Sequence, residues 1–310
     1  MTMAPEPFGI TTSNPSRGVF AETGSVPVPP RSSVQAPSIS AVLNTLNEER
    51  NIANAIKSVR SWVTEVIVMD MHSDDQTAEI ARSLGAKVFS YPRVINFDAA
   101  RVAAVELASS DWILLLDADE VIPFELSRQL LRLAGERNAD AYMIPRLNHF
   151  LGTPLLHGGA GPEQDRQLRF YRKGSVSLSD ILHSHIQAKP GTRVANTTYR
   201  PDACIVHFCY KDASLFISKL NKYTSLTAFQ RKESRRARDK SLVLMPLMDF
   251  LNRYVRKAAV FDGWKGFYYA FMMAVYRMTQ NVKIREMQAC DGAIDPYQRI
   301  AEEVVSRYEA

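Results

Sequence analysis

The sequence predicts an α/β fold: a mostly parallel, Rossmann-like sheet flanked by helices, followed by a helical C-terminal extension. Three observations predict it. Strand-like and helix-like segments alternate between residues 38 and 120, the strand segments are apolar without interruption, and polar residues collect where those strands end. The 310 residues, 46% hydrophobic and 23% charged, suffice for one large domain plus an extension.

Residues 1–37 are rich in Pro, Ser, Thr and Gly and carry few large apolar groups. Such a segment cannot offset its chain entropy by burial, so a disordered tail is expected, with order from Ser38. SISAVLNTL reads as the first strand. The next segment, EERNIANAIKSVRSW, sets Ile52, Ile56, Val59 and Val63 at helical spacing. EVIVMD is a buried strand ending in an aspartate, QTAEIARSLG a short helix stopped by Gly85, and AKVFSY a third strand. FDAARVAAVELASS is an alanine-rich helix, and DWILLLDAD a fourth strand, apolar until its carboxylates. In such sheets ligands sit at the carboxyl ends of the strands. Here those ends carry Asn47 and Glu48, then Asp70, then Asp117 and Asp119.

Residues 38–210 are read as one domain made of two halves, 38–120 and 121–210. In the latter, AYMIPRLNHF, QLRFYRK and ACIVHFCY are strand-like and extend the sheet. Residues 211–310 form the extension; 212–240 are expected to be helical, with Phe216, Leu220 and Tyr223 on one face, and further helical segments run through 242–285.

The net charge of +5 favours anionic partners without choosing among them. Three cysteines with no C-x-x-C pair argue against a zinc ribbon and fit a reducing cytoplasm. No signal peptide and no membrane-spanning helix are expected.

Asp117-Ala118-Asp119-Glu120 is the strongest chemical signal. Carboxylates at the end of a buried strand suit a hard divalent cation, Mg²⁺ or Mn²⁺, which would bridge a nucleotide's diphosphate. The plain alternative is an acidic solvated loop. Asp70 can accept hydrogen bonds from a base or ribose. Asp75 fits either that site or the cap of the helix that follows. Glu48 is either a ligand group or a first-turn acid favoured by the helix dipole.

Asn47-Glu48-Glu49, Asp70 with SDDQT, and Asp117 to Glu120 together resemble the donor half of family 2 glycosyltransferases of the GT-A fold. The resemblance implies that Glu48 and Asp70 hold the base and ribose, and that Asp117 and Asp119 hold the metal and diphosphate; Asn47 and Asp75 join the expected donor-binding set. Within the family the chain is similar to small bacterial enzymes that add glucose to the lipopolysaccharide core. Pro145-Arg146, His157-Gly158-Gly159, Asp165 ahead of LRFYR, and His183 carry that likeness, which spans most of residues 38–285. Two positions depart from it: Arg101-Val102 stands for Lys-Asn, which leaves Arg101 in the donor-binding set, and His183-Ser184 stands for His-Glu.

Inverting transfer needs a base for the acceptor hydroxyl, and Asp165 and Asp180 are the candidates. A late histidine often joins the metal or diphosphate in GT-A enzymes; His207 is preferred and His183 second. Arg169 fits the family's LRxF pattern as a diphosphate clamp, ahead of Arg172.

The expected partners are a nucleotide-sugar donor, UDP-sugar favoured, and a glycan or lipid-linked acceptor. Residues 211–257 hold 12 Lys or Arg against 4 Asp or Glu. That basic, amphipathic stretch suggests peripheral contact through 211–285 with the inner face of the cytoplasmic membrane; a solvated helix face is the alternative. No nucleic-acid motif accompanies the charge. Two other readings compete. A nucleotidyltransferase would show a Gly-rich loop near TLNEERN, which has none, and a non-catalytic binder or scaffold does not need the intact D-x-D.

Overall fold

The structure, a computed structural model, describes residues 36–93, 97–178, 186–231, 241–289, 296–306 and 308. The tail expected to be disordered lies outside these residues up to position 35. The first half alternates as expected: β1 (Ile39–Thr45), α1 (Ile52–Val59), β2 (Glu65–Asp70), α2 (Thr77–Ser83), β3 (Lys87–Ser90), α3 (Phe97–Glu106) and β4 (Trp112–Asp117). Gly85, at φ 83°, takes the left-handed turn that ends α2. Val63, expected on the first helix, sits in the turn after it: α1 ends at Val59 with Arg60 as its C-cap, and Val63 reaches the same core from outside the helix.

The rest is β5 (Glu120–Val121), α4 (Phe124–Glu136), β6 (Ala141–Phe150), β7 (Thr153–Pro154), β8 (Arg166–Arg172), β11 (Val194–Asn196) and β12 (Ile205–Tyr210), with a separate ribbon of β9 (Val176–Ser177) and β10 (Gln187–Ala188). The main sheet runs β3-β2-β1-β4-β8-β6-β12-β5. Its first four strands are parallel; β8 then enters antiparallel between β4 and β6. Strand order reverses at β1, which lies between β2 and β4, and that reversal opens a crevice at the strands' carboxyl ends.

Every residue of β1 is buried because both faces of the sheet are covered. Ile39, Ala41 and Leu43 pack toward α1 and α4; Val42 packs with Ile67 and Met69 toward α3. Glu65 clamps the opposite end of the parallel strands. It accepts from Ser40 Oγ at 2.6 Å, from Ser109 N and Oγ at 2.7 Å, and from Lys87 Nζ at 2.7 Å.

The C-terminal part is helical: α5 (Ala213–Arg231), α6 (Leu244–Leu251), a π-turn (Asn252–Arg256), a 3₁₀ turn (Ala259–Asp262), α7 (Gly263–Ala289) and α8 (Pro296–Ser306). Phe216 and Leu220 of α5 are buried, as their spacing predicts. No helix among the described residues is long and apolar enough to cross a membrane. The His157-Gly158-Gly159 turn anchors this part. His157 N donates to Asp262 Oδ2 at 2.9 Å, and Gly158 N donates to the Lys257 carbonyl at 2.8 Å. Both glycines have positive φ, a backbone conformation that residues with a side chain rarely adopt, so the turn favours glycine.

Burial acts to raise the Glu65 carboxyl, but Lys87, Ser40 and Ser109 outweigh it and hold it down at about 2, against an ordinary 4.5. A depressed carboxyl stabilises the fold above its ordinary pKa and loses that contribution as pH falls through the folded value. Glu65→Gln should therefore unfold about 1–2 kcal/mol more easily at about pH 7. Urea titrations should show that gap closing as pH drops from 4.5 toward 2.

Candidate functional site

The crevice at the ends of β1 and β4 is a cleft of about 520 Å³. Asn44 to Glu48 form one wall, Asp117 to Asp119 another, and α5 closes it with Lys219, Lys222 and Tyr223. The chain thus brings the first and last of its strand-end polar groups to one site.

The two aspartates of the D-x-D differ in their surroundings. Asp117 is shared between two guanidiniums: Arg101 Nη2 lies 2.7 Å from Oδ1, and Arg169 Nη2 bonds Oδ2. Burial alone would raise this carboxyl, yet Arg169 and Arg101 hold it far below the ordinary range. Glu120, fully buried, accepts from Arg146 at 3.0 Å and from Arg169 at 3.4 Å, and it also caps Asp117 N at 3.0 Å. Asp119 turns instead toward the cleft. Its Oδ2 lies 3.5 Å from His207 Nε2 and 3.7 Å from Lys219 Nζ. Burial would raise it, but His207 and Lys219 win and hold it low.

Behind the histidine runs a chain of donors and acceptors. His207 Nδ1 lies 2.6 Å from Asn148 Oδ1, and Asn148 Nδ2 donates to Asp165 at 2.7 Å. Asp165 also accepts from Arg146 at 3.0 Å and Gln167 at 2.5 Å. Burial opposes its charge, but Arg146 and Asn148 lower its pKa. The network fixes the His207 ring with Nε2 facing Asp119. The strand pairing builds it, since β12 lies beside β6 with His207 opposite Asn148, and β5 beside β12 with Glu120 opposite His207.

The family model for glycosyl transferase family 2 matches residues 40–193. The lipopolysaccharide core biosynthesis glycosyltransferase LpsC of Rhizobium meliloti (strain 1021) is 30% identical over 263 residues, covering 81% of this chain and 93% of that protein. The chain belongs to glycosyl transferase family 2. An uncharacterized glycosyltransferase of Rickettsia typhi is 28% identical over 262 residues, covering 80% of this chain and 87% of that one. Among solved structures, the chain is similar to glucosyl-3-phosphoglycerate synthase from Mycobacterium tuberculosis in complex with Mn²⁺ and UDP-glucose. That similarity has 26% identity and a TM-score of 0.32, over 36% of this chain and 44% of that one, so it spans less than half of the solved chain.

The remaining expected residues of this family 2 enzyme fall around the cleft unevenly. Asn47, at φ 58°, and Glu48 line it. Burial pushes the Glu48 carboxyl up, against a 2.7 Å bond from Asn51. Arg101 lines the cleft; Arg169 sits behind it, 4% exposed. Asp70 accepts from Ser73 N at 3.1 Å and Ser73 Oγ at 2.5 Å and is not among the lining residues. Asp75 caps the helix start through Thr77 N at 3.0 Å and ties it to Glu49 N at 3.2 Å. Arg172 stacks over Trp112, away from the cleft. Asp180 and His183 lie outside the described residues.

Several lining groups carried no sequence signal. Lys219 and Lys222 stand one turn apart on α5, and Lys222 sits over the Phe97 ring at 5.2 Å, where burial lowers its pKa. Asn44 Oδ1 and Thr45 Oγ1 are buried at the end of β1 with no hydrogen-bond partner among the described residues.

Removing Arg169 takes one of two guanidiniums from each of Asp117 and Glu120 and leaves them to Arg101 and Arg146. Arg169→Met should cost about 3 kcal/mol in urea unfolding. Adding Glu120→Gln to that variant should recover part of the loss, because the excess of negative charge is then smaller.

Proposed function

We propose that this chain is a metal-dependent, inverting glycosyltransferase that moves a sugar, glucose favoured, from a nucleotide-sugar donor to a glycan or lipid-linked acceptor in lipopolysaccharide or cell-surface polysaccharide synthesis. The observation that carries the metal role is the approach of Asp119 and His207 Nε2, 3.5 Å apart in the cleft. One carboxylate and one imidazole fit Mg²⁺ or Mn²⁺, whose other positions go to water and diphosphate oxygens. No group of three or more His, Cys, Asp or Glu side chains gathers for a metal among the described residues, so the donor itself must complete the shell. A cation held there would neutralise charge on the departing diphosphate.

The donor lies across the ends of β1 and β4. Asn44, Thr45 and Glu48 face the nucleoside, and the unpartnered oxygens of Asn44 and Thr45 receive its donors. Lys219 and Lys222 meet the diphosphate from α5 and stabilise it as the bond to the sugar breaks. Asp117 orients Arg101 toward the same space rather than spending its own charge on solvent. For Asp165 to take the acceptor proton, it must first give up one of its bonds to Arg146, Asn148 and Gln167. Asp180 is the other candidate. The likeness to LpsC supports a lipopolysaccharide core acceptor.

The test is donor hydrolysis and transfer with purified protein across a panel of nucleotide sugars, with and without Mn²⁺. Activity should require the cation and be lost on chelation. Asp119→Ala should reduce transfer by about 10²-fold or more while leaving the circular dichroism spectrum and the unfolding midpoint near wild type. His207→Ala should raise the Mn²⁺ concentration needed for half-maximal rate. A fully active Asp119→Ala enzyme would remove the metal role.

A further inference from the structure

The C-terminal helices leave open an apolar surface that the cleft does not use. On α6, Leu244, Leu247, Met248 and Leu251 recur at the spacing of one helix face, and all four are exposed. Val255 continues the stripe into the π-turn. On α7, Trp264, Phe267, Phe271 and Met278 form a second exposed stripe, while Gly266, Ala270 and Ala274 turn inward. The two stripes join through rings: Phe250 and Tyr254 meet Phe267 edge-on at 5.7 and 5.6 Å. Phe261 and Trp264, 78% and 67% exposed, stand at the end where the helices turn. Singly exposed apolar residues are ordinary in a folded protein, but a contiguous field of them marks a contact surface.

The charges around this field are sorted by sign. Between residues 241 and 276 the acids are Asp249 and Asp262, and both face inward. Asp249 pairs with Arg253 and Arg277, and Asp262 with His157; their side chains are 12% and 6% exposed. Arg256 and Lys257 remain exposed at the turn. The outward rim of the apolar field is therefore basic. A second copy of this chain would set that rim against itself, at a cost in like-charge repulsion. An anionic bilayer surface offers acyl chains to the stripes, headgroup phosphates to Arg256 and Lys257, and an interface where a Trp ring is favoured.

We infer that the α6–α7 face docks on anionic lipid, with Phe261 and Trp264 inserted at the headgroup level, so that the enzyme lies on a membrane surface rather than crossing it. The inference deepens the proposal of a lipid-linked acceptor, since it names the surface from which such an acceptor would be reached. Its test needs no sugar transfer, so it stands or falls apart from the enzymatic reading.

Full-length protein is floated with vesicles of phosphatidylcholine alone and of phosphatidylcholine mixed with phosphatidylglycerol. Binding should favour the anionic vesicles and weaken as salt rises. Phe261→Ser with Trp264→Ser should weaken it by about ten-fold or more. Arg256→Gln with Lys257→Gln should weaken it by about five-fold for each charge removed. Trp264 emission in the unmodified protein should shift to the blue when anionic vesicles are added, and Trp264→Phe should abolish the shift, which covers the case of a variant that folds poorly. Failure of the wild type to float, or equal flotation by the Phe261/Trp264 variant, would overturn the inference. So would a concentration-dependent dimer lost in that variant, because the face would then belong to a second copy.

Discussion

Arg169 lies between two carboxylates at the end of β4, and the geometry of the cleft depends on that contact. Asp98, Asp117, Glu120 and Asp165 supply four negative charges; Arg101, Arg146 and Arg169 supply three positive ones. Each carboxylate lies against at least one guanidinium, which is why so many charges can be held together. The cluster's net contribution to stability is small, because desolvating its ions offsets most of their mutual attraction. What it fixes is position. Glu120 is held by two arginines and caps Asp117 N, so the short turn between Asp117 and Glu120 has one conformation. Asp119 is carried by that turn, and its direction into the cleft follows.

The division of labour within the D-x-D comes from this turn. Were the backbone extended through Asp119, residues two apart would share a face. The strand stops at Asp117, and the turn sends the Asp119 side chain to β12 instead. Asp117 is spent on arginines and Asp119 on His207 and Lys219. Two carboxylates that look equivalent in sequence thus stand in different surroundings, Asp117 among arginines and Asp119 beside His207 and Lys219.

The sheet was legible because its signals are local. Uninterrupted apolar runs such as WILLL announce a strand covered on both faces, and the helices between show their own periodicity. The D-x-D was legible for the same reason: carboxylates after such a run have few places to go. His207 was found through its strand, CIVHF, whose register beside β6 sets it next to Asn148. Lys219 and Lys222 were not found. On sequence they belong to a basic helix in a basic segment, and charge alone reads as a solvated face. Nothing within α5 says that one turn of it faces a cleft more than 100 residues upstream in the chain. Asn148 was hidden differently, and Arg146 was named only for its place in the Pro-Arg stretch: a polar residue on an alternating strand shows which face it lies on but not the partner that it meets.

The C-terminal helices belong to the site for a reason that can be followed atom by atom. Lys283 on α7 reaches back to α5, where its Nζ donates to Asn221 Oδ1 at 2.6 Å, Ser225 Oγ at 2.7 Å and Thr224 Oγ1 at 3.0 Å. Those three residues lie within two turns of Lys219 and Lys222 on the same helix, so α7 fixes the rotation that aims both lysines into the cleft. At its other end α7 starts beside Asp262, which holds His157 on the β6–β8 connection. One long helix thus joins the lysines over the cleft, the loop leading from Asn148 to Asp165, and the apolar face of α6 and α7. Packed helices and hydrogen bonds join that face to the two elements that define the cleft. An extension that looks separable on composition is, on contacts, the third wall of the cleft.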